Sequence, residues 1–70
     1  MNLRKLVGKN IRALRTAKGI TQEKLAWSSK LTSDYVGCLE RGEVNVSLDA
    51  LARIAKSLEV DPKVLLESIK

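Results

Sequence analysis

One signal for the start of a helix occurs four times in this chain, and it constrains the fold more than any other feature. In each copy a small polar residue follows an apolar one, and a second apolar residue stands four places later: Ile20-Thr21 with Leu25, Leu31-Thr32 with Val36, Val46-Ser47 with Leu51, and Val60-Asp61 with Leu65. The polar side chain can accept a hydrogen bond from a free N–H at the helix start, while the two apolar residues pack together. Pro62 occupies the first helical position after Asp61, where its missing N–H costs nothing. Four such signals predict a chain built from short helices.

A different pattern, an apolar stripe near the N-terminus, predicts the first helix. Its members recur at three and four residues: Leu3, Leu6, Val7, Ile11 and Leu14. Gly19 follows, in the place where helices commonly end with a left-handed residue. We therefore predict five helices and no strand, with the helices over about 2–18, 22–29, 33–41, 48–58 and 62–69. The expected fold is one compact all-α domain over residues 1–70.

The charge balance narrows the class of partner. The 70 residues include 13 Lys and Arg against 8 Asp and Glu, which gives a net charge of +5. A small basic domain favours an anionic partner, with nucleic acid first and an acidic membrane surface second. No apolar run approaches the ~20 residues that span a bilayer, and the N-terminus is amphipathic rather than a signal peptide. We expect a cytoplasmic protein that binds no membrane.

Catalytic chemistry is poorly provided for. The sequence has no His, so the commonest general base and the commonest metal ligand are both missing. The one cysteine, Cys38, therefore has no imidazole to activate it. We expect no enzyme activity, no metal and no cofactor. We also expect no small-molecule ligand, because 70 residues leave no room for a second domain.

The two central helices form the candidate functional element. Each spans about two turns, and only Lys30-Leu31-Thr32 joins them, which suits a helix-turn-helix over about residues 21–41. In that motif the second helix enters the major groove of DNA. The small side chain of Ala26 would let the two backbones approach closely. An ordinary corner between two helices of a bundle has the same local pattern and stays an alternative on this evidence.

The residues of these helices also resemble a known family. The strings that carry the resemblance are TQEKLA at 21–26, LT at 31–32, YVGCLERG at 35–42 and NVSL at 45–48. The chain resembles the phage repressor and Cro-like helix-turn-helix family and, more specifically, the controller proteins of restriction–modification systems. Repressors of phages and mobile elements share much of this pattern. The resemblance implies a five-helix, lambda-repressor-like domain that binds a palindromic operator as a homodimer.

Five residues at the start and on the outward face of the second motif helix are predicted to meet base edges: Thr32, Ser33, Asp34, Tyr35 and Cys38. For three of them a structural role is the alternative to a base contact. Thr32 is an N-cap, Asp34 complements the helix dipole, and Tyr35 can pack through its ring. Ser33 suits donor or acceptor groups of a base, and Cys38 is small enough to touch a thymine methyl.

A second group is predicted to contact the DNA backbone. Gln22 begins the first motif helix, whose free N–H groups attract anions, and by resemblance it is the family's phosphate-binding glutamine. Arg41 and Asn45, after the second motif helix, match family positions that reach the sugar-phosphate backbone. Lys30 in the turn would add a positive charge. Ordinary solvated charge is the alternative for Lys30 and Arg41.

Two further pairs are predicted to have structural roles. The resemblance implies that Arg15 and Glu40 form an ion pair that fixes the second motif helix. The final helix has more apolar residues than one buried stripe needs. Leu66 and Ile69 on that helix are therefore expected to bury against a second copy of the chain. The alternative is that all the apolar residues of the helix pack into one core.

Two positions depart from the family pattern. Lys30 stands where many relatives have Gly, at a turn that favours a left-handed backbone, and a non-Gly residue there would cost about 1 kcal/mol. Trp27 stands where a polar residue is usual. It lies about 200° around the helix from Leu25, so we expect it to be at least partly exposed. Its ring would either pack on neighbouring aliphatic groups or contact a partner.

These patterns predict a sequence-specific DNA-binding transcriptional regulator, of the kind found as restriction–modification controllers or mobile-element repressors. Its partners would be double-stranded DNA and a second copy of itself, with RNA polymerase as a further candidate. The rival hypothesis is a protein-interaction module on the same fold, such as an antitoxin or an adaptor. Exposed Trp27 and acidic Asp34 would suit that rival.

Overall fold

The computed structural model describes residues 2–68, which form four α-helices and a final 3₁₀ helix. The elements are α1 (Leu3–Ala17), α2 (Gln22–Ser29), α3 (Ser33–Glu40), α4 (Leu48–Leu58) and the 3₁₀ helix (Pro62–Leu66). Residues 2–68 contain no strand. The predicted all-α helix-turn-helix architecture is therefore confirmed. No helix in this described part of the chain has the length and apolar character needed to cross a membrane.

The four predicted helix starts are all present as side-chain caps. The hydroxyls of Thr21, Thr32 and Ser47 each accept a hydrogen bond from the N–H three residues later, at 3.0 to 3.1 Å. Asp61 accepts from the N–H of Lys63, only two residues later, at 3.0 Å. Asn2 caps α1 in the same way, through the N–H of Lys5, and the sequence patterns did not single it out.

The predicted fifth α-helix over 62–69 is wrong in both type and length. The segment is a 3₁₀ helix that ends at Leu66, and Glu67 is already extended, with φ −84° and ψ 140°. The side-chain amide of Asn10 explains this ending, because it donates to the carbonyl oxygens of Leu65 at 2.9 Å and Glu67 at 2.8 Å. Those carbonyls are thus bonded to α1. The predicted contact residue Ile69 lies outside the described residues.

The core joins both motif helices to α1 and α4. Leu25 of α2, Val36 of α3 and Ile54 of α4 are fully buried in it. The α1 and α3 backbones lie close together at Gly8, where an added Cβ would be only 2.2 Å from the carbonyl oxygen of Leu39. Since no side chain fits there, Gly8 sets how close α3 lies to α1.

The turn between α2 and α3 contains the left-handed residue that was expected. Lys30 has φ 58° and ψ 42°, and its N–H donates to the carbonyl of Trp27 at 3.2 Å. The next N–H, from Leu31, donates to Ala26 at 2.8 Å. The turn is therefore a capped helix end, which a glycine would form without the steric cost of a Cβ.

Candidate nucleic-acid interface

The second motif helix, α3, buries one face and exposes the other. Val36 and Leu39 are buried in the core, whereas Ser33 and Asp34 in the first turn are exposed. Thr32 is exposed too, with its hydroxyl engaged as the N-cap. The helix thus presents a short polar surface at its N-terminal end, where a helix in the major groove meets base edges.

The other two predicted base-contacting residues are only half-exposed. Tyr35 packs against the core, so part of its ring serves the fold rather than the surface. The sulfur of Cys38 accepts a 3.5 Å hydrogen bond from Arg41. Both side chains border the exposed surface of α3, at its edge rather than at its centre.

A buried carboxylate links α3 to the two preceding helices. Glu40, whose side chain is 3% exposed, accepts hydrogen bonds from Arg15 at 2.6 and 3.1 Å. It also accepts from the side-chain amide of Gln22 at 3.0 Å. The bond to Glu40 raises the pKa of Arg15 above its ordinary value. Arg15 also donates to the carbonyl of Ile20, just before α2. The Glu40 carboxylate, at the end of α3, is therefore bonded to side chains of both α1 and α2.

Gln22 therefore has a structural partner as well as its predicted role at the DNA backbone. It is the first residue of α2, beside the cap Thr21. Its side-chain nitrogen carries two hydrogens, and one of them is taken by Glu40. The second hydrogen and the free backbone N–H groups of the helix start stay available to an anion. The bond to Glu40 fixes where that second donor lies.

Arg41 folds back over the end of α3. Its guanidinium donates to Glu43 at 3.0 Å and to Cys38 at 3.5 Å. Another of its nitrogens would lie 3.2 Å from a Cβ on Gly37, and the Gln22 side-chain oxygen would lie 3.8 Å from the same point. The missing side chain of Gly37 thus leaves room for both groups. The hydrogen bond from Arg41 also lowers the pKa of the exposed Glu43 carboxyl.

Comparison with known proteins identifies the family of this chain. Residues 6–68 match the family described as "Helix-turn-helix domain". The chain belongs to the helix-turn-helix family.

Individual relatives narrow the class further. The chain is 45% identical over 67 residues to control protein C.BamHI of Bacillus amyloliquefaciens, covering 94% of this chain and 83% of that protein. It is 38% identical over 66 residues to control protein C.SmaI of Serratia marcescens, covering 93% and 79%. The crystal structure of the restriction-modification controller protein C.AhdI from Aeromonas hydrophila superposes with a TM-score of 0.87, at 45% identity and 89% and 94% coverage. The predicted resemblance to controller proteins and to DNA-binding transcriptional regulators is confirmed.

The remaining predicted residues lie in loops of this helix-turn-helix domain. Lys30 and Asn45 are both exposed, Lys30 in the turn before α3 and Asn45 in the loop after it.

Trp27, on α2, is 84% exposed. Packing against neighbouring aliphatic groups therefore does not account for Trp27. No group of three potential metal ligands occurs within residues 2–68.

An apolar groove lies beside α4, and the sequence patterns did not predict it. Leu3, Leu48 and Leu66 form its exposed edges, at 52%, 83% and 46% exposure, and buried Val7 and Leu51 lie beneath them. Its volume is about 290 Å³. Among its residues, Leu66 was predicted from the sequence to contact a second copy of the chain.

Proposed function

We propose that this protein is a sequence-specific transcriptional regulator that binds a palindromic operator as a homodimer and catalyses no reaction. The observation that carries the proposal is the α3 surface. Its N-terminal turn is exposed, and the Arg15–Glu40 ion pair anchors the opposite end of the helix to α1. The domain belongs to the helix-turn-helix family, and its relatives include control proteins. A helix of this size fits the major groove.

Base recognition is assigned to the exposed turn and its border. Ser33 would donate or accept a hydrogen bond at a base edge. Asp34 would accept a hydrogen bond from the amino group of cytosine, and its negative charge would be repelled by the phosphates. Thr32 and Cys38 would add contacts to thymine methyl groups, and Tyr35 a hydroxyl at the margin. The exposure of Ser33 and Asp34 supports their placement at the centre of this surface.

Backbone contacts are assigned to residues on both sides of α3. Gln22 would bind a phosphate through its free hydrogen and the N-terminus of α2. Arg41 and Asn45 would also contact the sugar-phosphate backbone, and Lys30 would add charge near the start of α3. The proximity of the Gln22 and Arg41 side chains across Gly37 supports a continuous clamp. These contacts position the helix but carry no sequence information of their own.

The apolar groove is proposed as the face between the two copies. Three leucines exposed around one depression would cost free energy in a monomer, and a two-fold interface would cover the same patch on both chains. Asn45, a proposed DNA-backbone residue, lies at the edge of this groove. The two-fold axis would therefore lie next to the DNA, with the recognition helices about 34 Å apart.

The place of action follows from this role. A regulator of transcription works where the chromosome lies, so we place the protein in the cytoplasm. RNA polymerase is the further partner that regulation requires, either recruited or excluded at the promoter.

The proposal is tested by measuring duplex DNA affinity against salt concentration, using fluorescence anisotropy and purified full chain. We expect the logarithm of affinity to fall linearly with the logarithm of salt, because phosphate contacts release counterions. Affinity that is weak and insensitive to salt would reject DNA as the partner. The rival of a protein-interaction module, centred on exposed Trp27, would then take its place.

A further inference from the structure

A groove between α2 and α4 is lined only by hydroxyl-bearing and cationic residues. They are Ser28, Ser29, Lys30, Arg53, Lys56 and Ser57, around a volume of about 460 Å³. No carboxylate lines it. Within residues 2–68, the ion pairs are Arg15–Glu40 and Arg41–Glu43, so the three cations of this basic groove are unpaired. The groove therefore concentrates positive charge that the fold does not neutralise.

Ser29 supplies a second and independent observation. It is only 2% exposed, and its hydroxyl has no hydrogen-bond partner in the described part of the chain. The neighbouring hydroxyls differ, since Ser28 and Ser57 bond to each other and Ser28 reaches the carbonyl of Leu25. A buried hydroxyl without a partner costs free energy. If the Ser29 side chain rotated toward the groove, a ligand atom that accepts a hydrogen bond there would remove that cost.

The helix ends beside the groove do not oppose an anion as strongly as their dipoles suggest. Both α2 and α4 end here, with their negative ends nearby. However, the N–H of Leu31 already bonds the carbonyl of Ala26 at 2.8 Å, and the N–H of Val60 bonds that of Ala55 at 3.0 Å. These bonds satisfy part of the carbonyl set at each helix end. Each end carries about half a negative charge, so the three cationic side chains outweigh both ends together.

We propose that the basic groove is a binding site for a phosphate group. Arg53 would bind two phosphate oxygens through its planar guanidinium, while Lys30 and Lys56 would act as compact charges. The Ser29 hydroxyl would donate to a third oxygen. The phosphate could belong to a small soluble molecule or to the DNA backbone, and the same chemistry serves both. Because Lys30 lies in the turn before α3, an occupied groove would also restrain the start of the recognition helix.

The test is an NMR titration of inorganic phosphate into the ¹⁵N-labelled full chain at constant ionic strength. We expect saturable shifts confined to residues 28–30 and 53–57. Arg53→Ala should weaken binding at least tenfold. Arg12→Ala, which removes another exposed positive charge, on α1, should leave binding unchanged. Ser29→Ala should weaken binding without lowering the thermal midpoint, because it removes an unpaired hydroxyl. Shifts that do not saturate, or equal losses in the Arg53 and Arg12 variants, would overturn the proposal.

The two sources of phosphate are separated by DNA binding of the same variants. If the groove takes a backbone phosphate, Arg53→Ala lowers the slope of DNA affinity against salt by about one. If it takes a free phosphate-bearing molecule, that slope is unchanged. The phosphate titration itself contains no DNA, so its result stands whether or not the proposed operator binding does.

Discussion

The Arg15 guanidinium and the Glu40 carboxylate meet at 2.6 Å, with their side chains 12% and 3% exposed. Because the two residues are 25 positions apart, this contact joins the first helix to the end of the recognition helix. Gln22 bonds the same carboxylate. The orientation of α3 thus depends on a charge that is almost fully removed from water.

Breaking this pair from one side should be costly. Arg15→Leu leaves the Glu40 charge buried without its partner, and we expect a loss of about 3–5 kcal/mol in the free energy of unfolding. The double variant Arg15→Leu/Glu40→Leu should recover much of that loss, since no buried charge remains. Urea denaturation of both variants measures this. Equal destabilisation by the single and double changes would contradict the account.

Clamp and readout residues should have different effects on DNA binding. Gln22→Ala and Arg41→Ala should weaken all duplex sequences alike, with Arg41→Ala lowering the salt slope by about one. Ser33→Ala should instead change the preferred sequence. Anisotropy titrations on a panel of duplexes distinguish the two, with Lys63→Ala on the 3₁₀ helix as the control for net charge. Unaltered affinity after the Gln22 and Arg41 changes would show that α3 is docked wrongly.

Replacing Gly37 or Gly8 with alanine should change the stability of the fold in opposite directions. Gly37→Ala replaces a flexible residue inside α3 and should stabilise the fold by about 0.5–1 kcal/mol. Its new methyl group lies 3.2 Å from the Arg41 guanidinium, which must move, so DNA affinity should fall. Gly8→Ala is the matched control, because its methyl would meet backbone at 2.2 Å and should destabilise by about 1–3 kcal/mol. Thermal melts and anisotropy measure both. A Gly37→Ala protein with unchanged DNA affinity would remove Arg41 from the clamp.

Oligomerisation should depend on the apolar groove rather than on exposed apolar surface in general. Leu48 and Trp27 are 83% and 84% exposed, so Leu48→Glu and Trp27→Glu change equally exposed residues in the same way. We expect Leu48→Glu to shift sedimentation from dimer to monomer, while Trp27→Glu stays dimeric. If Trp27→Glu gave monomers and Leu48→Glu did not, the dimer interface would lie on α2 and not at the apolar groove.

The local features of this fold were predictable, while those that depend on distant residues were not. The caps Thr32 and Ser47 act on N–H groups three residues away, so the sequence pattern contains their whole cause. The 3₁₀ ending depends on Asn10, which lies 55 residues before Leu65. No short pattern includes both residues. A buried asparagine on an apolar stripe was the available signal, but the pattern does not say which carbonyl it would bind.

The candidate site follows the same division. The surface of α3 could be predicted because its buried residues, Val36 and Leu39, fix the opposite face. The exposure of Leu48 could not be predicted. Helical periodicity locates an apolar stripe but does not show which part of that stripe the other helices cover. The basic groove could not be predicted either, because it forms only where α2 and α4 lie side by side. Their facing residues are more than twenty positions apart in the sequence.

Selection from a randomised duplex library at near-physiological salt, followed by sequencing, tests the central claim most directly. The account predicts a two-fold symmetric motif with half-site centres about one helical turn apart. The Ser33→Ala protein should enrich a motif altered at the same place in both half-sites. Failure of the folded protein to enrich any sequence, or enrichment of a motif without two-fold symmetry, would contradict dimeric operator recognition by α3.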